Sequence, residues 1–171
     1  MTPVPDVDLA GITVGHYYIQ ALIAAGGQGR VYRGRDTRLP RDVAVKVLSS
    51  DRLKDPASRR SLVLEARLLS LLNHPHVAAV YELVTQAGRD FIVMEFVPGA
   101  TLRDVLAGGP LPAAEVLRLG AQMARGLAAA HAAHVVHCDI KPANIKVTTK
   151  GDLKILDFGL AKLLPAGAVL D

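Results

Sequence analysis

Val135-Val136-His137-Cys138-Asp139-Ile140-Lys141-Pro142-Ala143-Asn144 is the stretch on which the reading of this chain turns, and Asp157-Phe158-Gly159 begins eighteen residues after Asp139. A long Ala-rich helix pattern precedes it and a strand pattern follows. Asp139 is a carboxylate that can take a proton from an attacking hydroxyl. Asn144 and Asp157 carry hard oxygen donors suited to magnesium beside a triphosphate. Lys141 adds a point charge for a moving phosphoryl group. Asp139 and Asn144 are five residues apart on a loop, so both side chains can converge on one cleft.

These residues resemble the catalytic loop of protein kinases, H-R-D-x-K-x-x-N, followed by D-F-G. One position departs: Cys138 stands where that pattern has Arg. A kinase arginine there commonly pairs with a phosphorylated activation loop, which Cys cannot do. The His-x-Asp-x-Lys-Pro-x-Asn form implies Ser/Thr rather than Tyr specificity by family analogy.

Upstream, Tyr17–Ile23 reads as a strand, Ala24-Ala25-Gly26-Gly27-Gln28-Gly29 as a Gly-rich turn, and Arg30–Gly34 as a second strand. Strand, turn, strand is a hairpin. Its glycines allow backbone N–H groups to approach phosphates closely. No helix follows, so it is not a dinucleotide fingerprint. No G-K-[ST] follows, so it is not a Walker A loop. It is similar to the Gly-rich loop of bacterial Ser/Thr kinases, with Ala24 in place of the first glycine. If that site needs positive φ, Ala24 costs on the order of 1 kcal/mol.

Asp42–Leu48 alternates with period two. Val43, Val45 and Val47 share one face; Ala44, Lys46 and Leu48 share the other. Ala44 leaves room for a flat base, and Lys46 lies ~7 Å further along that face. The run resembles the V-A-I-K strand of kinases. Residues 57–72 read as an amphipathic helix with Leu62, Glu65, Leu69 and Leu72 on one stripe. Glu65 has no basic helical neighbour, so a carboxylate on that stripe wants a distant partner. The resemblance implies Lys46 as that partner.

Val77–Val84 and Phe91–Phe96 read as two further strands. The resemblance makes Glu95-Phe96-Val97 a hinge whose backbone binds adenine, and Met94 the residue controlling the back pocket. It assigns ATP binding to Ala24, Gly26, Gly27, Gly29, Val31, Ala44, Lys46, Met94, Glu95 and Val97. Catalysis falls to Asp139, Lys141, Lys46 and Glu65, and Mg²⁺ to Asn144 and Asp157. Pro98-Gly99 marks a lobe boundary. A short helix over 101–107, capped by Thr101, precedes a long one over 112–133. Gly120, Ala121, Ala124 and Ala128 suit that helix to close packing. His131, His134, His137 and Cys138 do not form an economical zinc set, because the helix would have to bend into the loop. Lys146 falls where kinases place an apolar residue beneath adenine; its stem packs there while its amine reaches water.

The implied fold is α+β and protein-kinase-like. Residues 1–15 form a flexible arm. Residues 16–97 form a small lobe with a five-stranded antiparallel sheet and one main helix. Residues 98–171 form a partial helical lobe that carries the catalytic loop, the D-F-G and the start of the activation segment. The family's A-P-E motif and later helices are not found in the 171 residues, so the domain reads as incomplete. The Ala- and Leu-rich helix then leaves an apolar face for a covering partner. Two functions remain: a Ser/Thr kinase moving the ATP γ-phosphoryl group to protein hydroxyls, or a catalytically poor nucleotide-binding module.

The remaining properties fit a globular cytoplasmic protein. Net charge is +4, with base clustered in Arg30, Arg33, Arg35, Arg38 and Arg41. Tyr32 is the single aromatic within that cluster, too little for a stacking surface, which argues against nucleic acid. The lone Cys138 excludes an internal disulfide and fits a reducing compartment. No uncharged apolar run spans a bilayer, and no signal peptide opens the chain.

Overall fold

Period-two alternation in Asp42–Val47 is resolved as the central strand of a sheet buried on both faces. The computed structural model describes residues 8–26, 29–48, 60, 63–64, 66, 69–157 and 162–163. Strands β1 (Thr13–Val14), β2 (Tyr17–Gly26), β3 (Gly29–Asp36), β4 (Asp42–Val47), β5 (Val80–Gln86) and β6 (Arg89–Glu95) form one antiparallel sheet. Its order is β1-β2-β3-β4-β6-β5. Val43 and Val45 pack with Tyr17, Ile19, Tyr32 and Val93 on one face. Ala44 packs with Ile92 and Met94 on the other, where Lys46 also lies. One strand thus feeds a hydrophobic core on one side and the cleft on the other.

Two expectations for this part of the chain need correction. Residues 8–15 are not a flexible arm: Leu9 and Val14 are buried, and β1 adds a sixth, edge strand to the five expected. Gln86 binds this edge twice, accepting from Gly15 N at 2.8 Å and donating to Thr13 O at 2.9 Å. Residues 1–7 lie outside the described residues. Ala24 sits in β2 opposite Val31 and is not at positive φ, so the expected backbone cost does not arise. Between 57 and 72, residues 60, 63–64, 66 and 69–71 are helical, with Ala66 and Leu69 buried.

A charged cluster closes the sheet edge. Asp36 accepts from the backbone N–H groups of Arg38 and Leu39, at 2.9 and 3.1 Å, and from Arg41 Nε at 3.0 Å. Burial disfavours the charged form, but these donors outweigh it and hold the Asp36 carboxyl below its ordinary value. Arg41 also stacks 3.9 Å from the Tyr81 ring centroid. A depressed folded pKa contributes stability above the unfolded value of about 4, lost as pH falls through the folded value. Melting curves recorded against pH should therefore fall less steeply in acid for Asp36→Asn than for wild type. Parallel curves would remove Asp36 from the acid response.

The second lobe begins with Gly99–Thr101 (β7), which pairs with β9 (Ile145–Thr148) beside β10 (Leu153–Ile155). No sequence pattern announces this strand. Thr101 then caps helix α1 (Leu102–Ala107) in a capping box with Asp104. Helix α2 (Ala113–Ala132) begins after Pro112. Its tight contact is at Gly126, where a Cβ would lie 3.0 Å from Ile155 Cδ1 and 3.1 Å from His76 O; Gly120 faces open space. Val135–Val136 (β8) pairs with Lys162–Leu163 (β11).

Gly99 fixes the β7–β9 approach. Its φ is +130°, and a Cβ there would lie 2.1 Å from Val147 O, a backbone atom with little freedom to retreat. Gly99→Ala should cost at least about 2–3 kcal/mol and lower the melting temperature. A variant melting within a degree of wild type would mean that this approach is dispensable.

Candidate functional site

Residues from both lobes line one cleft of about 200 Å³. Ile23, Ala24 and Val31 come from the β2–β3 hairpin, Ala44 and Lys46 from β4, and Met94, Glu95, Phe96 and Val97 from the crossing segment. Below lie Thr101, Ala143, Asn144, Lys146, Leu156 and Asp157. Gly26 and Gly29 face each other at the hairpin end and are not among the described lining residues. Gly27 lies outside the described residues. At Gly29, φ +118° and a would-be Cβ contact of 2.4 Å with Val47 O demand glycine for packing onto β4.

The lower wall is tied together by short polar contacts. His137, 1 % exposed, donates from Nε2 to Leu156 O at 2.8 Å, while its Nδ1 accepts from Asp139 N at 3.2 Å. These partners fix the tautomer with the proton on Nε2. Leu156 N in turn donates to Asn144 O at 2.8 Å. The loop holding Asp139 and Asn144 is thereby fastened to the strand that delivers Asp157. Cys138 and Asp157 both take positive φ, 59° and 52°. Two non-glycine residues in the left-handed region flank the cleft, a cost that the cross-ties offset.

Asp139 collects the loop's donors. Lys141 Nζ reaches its Oδ2 at 2.7 Å, and Asn144 Nδ2 lies 3.0 Å from Oδ2 and 2.9 Å from the Asp139 carbonyl. The Asn144 amide nitrogen is thus committed to Asp139, which leaves Oδ1 as the donor atom for a cation. Across the cleft, Lys46 Nζ binds both Asp157 oxygens, at 2.5 and 2.7 Å. Lys46 is 3 % exposed and the Asp157 side chain 21 %. Glu65, the expected partner of Lys46, lies outside the described residues, as does Phe158-Gly159.

Two features of the cleft depart from the sequence reading or escape it. Lys146, for which the sequence reading offers only water as a partner, donates from Nζ to Val97 O at 2.8 Å. Its position on β9 opposite Thr101, below the crossing segment, makes that carbonyl the nearest way to satisfy the ammonium. Lys154 binds Glu95 Oε2 at 2.7 Å, and the same oxygen accepts from Ala79 N at 3.2 Å. This link from β10 to the crossing segment has no sequence signal beyond opposite charge at a separation of 59 residues.

The donor set fits a nucleoside triphosphate with Mg²⁺. It has an apolar slot between Val31, Ala44, Met94 and Leu156, a buried cation at Lys46, and oxygen donors at Asn144 and Asp157. Residues 17–170 match the family described as protein kinase domain. The chain belongs to the protein kinase family. Among relatives of this chain, PknL, a serine/threonine-protein kinase of Mycobacterium tuberculosis, is 42% identical over 154 residues. That match covers 90% of the chain and 39% of PknL. PknA of the same organism is 43% identical over 166 residues, covering 93% of the chain and 38% of PknA. The chain therefore spans about two-fifths of the length of these relatives. The crystal structure of the M. tuberculosis PknI kinase domain superposes with a TM-score of 0.81 at 29% identity, covering 90% of this chain and 62% of that one. The fold is that of the family. Protein kinases as a family use ATP and Mg²⁺ and act on proteins. No helix among the described residues is long and apolar enough to cross a membrane.

Proposed function

We propose that this chain carries the nucleotide-binding and catalytic part of a serine/threonine protein kinase, moving the γ-phosphoryl group of ATP to a protein hydroxyl. The observation that carries the reading is the meeting of Lys46 with Asp157 across 111 residues, in the cleft that Asn144 also lines. Lys46 holds phosphate oxygens once it leaves Asp157. Asn144 Oδ1 and Asp157 hold Mg²⁺, which supplies charge neutralisation to the phosphates when bound. Asp139 accepts the proton of the substrate hydroxyl, and Lys141 balances charge beside it. Ala44 and Met94 form the apolar enclosure of the base, and the Glu95–Val97 backbone reads its edge. Glu65 remains the proposed partner of Lys46 when phosphates are bound.

One observation favours the second reading, a nucleotide-binding module with poor catalysis. Lys46 and Asp157 satisfy each other here, so both must be redirected before phosphates and metal are held. Titration calorimetry with Mg-ATP, followed by a phosphate-transfer assay on a generic Ser/Thr protein, separates the two. Binding with Asp139-dependent transfer supports the kinase; binding without transfer supports the module; no binding defeats both. Exposed Val116 and Leu117 on α2, the latter 75 % exposed, support a covering partner or further chain on that face. The exposed Cys138 thiol supports a reducing, cytoplasmic setting.

A further inference from the structure

Lys146 and Lys154 stand directly opposite each other on β9 and β10, on one face of the ladder. Like charges placed so are mutually destabilising. Each turns to the same short segment for relief. Lys146 Nζ donates to Val97 O at 2.8 Å, and Lys154 Nζ to Glu95 Oε2 at 2.7 Å. The two ammonium groups thus hold the crossing segment at points two residues apart. The Lys154–Glu95 pair is largely withdrawn from water, its side chains 19 % and 25 % exposed. Glu95 is also fastened to the upper lobe: its N donates to Ala79 O at 2.8 Å, and its Oε2 accepts from Ala79 N at 3.2 Å. β10 is tied to the same stretch, Ala78 N donating to Ile155 O and Ile155 N to His76 O, both at 2.9 Å. Two residues beyond Ile155 the chain reaches Asp157, the partner of Lys46. Lys154 is not among the described residues that line the cleft, whereas Glu95 and Val97 are. A contact effect of Lys154 on a cleft ligand therefore passes through the segment it holds.

We propose that Lys154 is a positioning residue, acting beside its cross-strand neighbour Lys146 to hold the crossing segment where the cleft admits nucleotide. The inference rests on the nucleotide-binding reading above, and on no particular orientation of the base. Without the Lys154 ammonium, the carboxylate of Glu95 keeps only the Ala79 N–H, and the segment is gripped from below at Val97 alone. The binding-competent arrangement is then one of several, and apparent affinity falls by its fraction. A pair of opposed lysines is a local conflict that a purely structural ladder has no use for, and its two compensating partners both lie on residues that line the cleft.

The test combines hydrogen exchange of the nucleotide-free full chain, read at residues 95–97, with calorimetric titration by Mg-ATP. In Lys154→Met, exchange there should quicken by about 5-fold or more, and the Kd for Mg-ATP should rise by about 5-fold. Lys154→Gln takes its place if that variant lacks a cooperative melting transition. Lys154→Arg should keep both readings within about 2-fold of wild type. Loss of a positive charge would by itself weaken a polyanion, and Glu95→Ala separates that field effect from the brace. It removes a negative charge, yet should weaken Mg-ATP by a similar factor. Lys154→Met with Glu95→Ala should then be no weaker than the worse single variant by more than about 2-fold. Tighter binding in Glu95→Ala, or full additivity in the double variant, overturns the inference. So does unchanged Mg-ATP affinity in a folded Lys154 variant, whatever its exchange or melting temperature, and that result leaves the nucleotide reading standing. Failure of wild type to bind Mg-ATP defeats the nucleotide reading, and the inference with it.

Discussion

Asp139→Asn should lower phosphoryl transfer by about 10²–10⁴-fold while Mg-ATP affinity stays within a few-fold of wild type. The substitution keeps size and planarity. The oxygen of the new side-chain amide still accepts from Lys141 Nζ, which in the wild type lies 2.7 Å from Asp139 Oδ2, and from Asn144 Nδ2, at 3.0 Å. The backbone ties also survive, because Asp139 N to His137 Nδ1 and Asn144 Nδ2 to the Asp139 carbonyl do not involve the carboxyl group. What is lost is the negative charge and a site for the substrate proton. The expected signature is a folded protein with a near-normal melting curve, normal nucleotide binding and almost no turnover. Transfer within a factor of about three of wild type would remove Asp139 from the chemistry. Loss of the melting transition would instead show that the carboxylate holds the loop.

Much of this site was legible because local patterns and global fold agree there. The alternation of Asp42–Val47 put Ala44 and Lys46 on the cleft face, and the strand is buried on both sides as a central strand must be. The loop from His137 to Asn144 was readable because its residue types have few other uses at that spacing. Other features depended on tertiary partners. Thr13–Val14 is too short to announce a strand, and it forms only because β2 offers an edge. Gly99–Thr101 reads as a boundary turn, yet its positive-φ glycine is what lets it lie against Val147 as a third strand. Lys146 reads as a snorkelling lysine, and the sequence holds no sign that the Val97 carbonyl waits 2.8 Å away. The Lys46–Asp157 contact is of the same kind: each residue has a role by motif, but their mutual bond depends on how the lobes close.

Lys46→Met is the second large effect, and it acts on binding, chemistry and stability together. Met matches the stem in length and keeps the packing against the Ala44 face, so little of the loss comes from volume. The missing ammonium should weaken Mg-ATP binding by about 10-fold or more and transfer by about 10²–10³-fold, since the charge on the phosphates is then unopposed on that side. Stability should move as well. Lys46 is almost fully buried, and its removal orphans a carboxylate that it holds at 2.5 and 2.7 Å. A fully buried pair broken in this way costs about 3–5 kcal/mol. The Asp157 side chain is 21 % exposed and can recruit water, so about 1–3 kcal/mol is the better expectation. A double-mutant cycle separates this from packing. Asp157→Asn removes the orphaned charge, so Lys46→Met with Asp157→Asn should be less destabilised than the two single losses added together. The difference read from denaturant curves should be about 1–2 kcal/mol. Strict additivity would mean that the two side chains do not hold each other in solution, and that Lys46 faces a partner other than Asp157, such as Glu65, even without nucleotide.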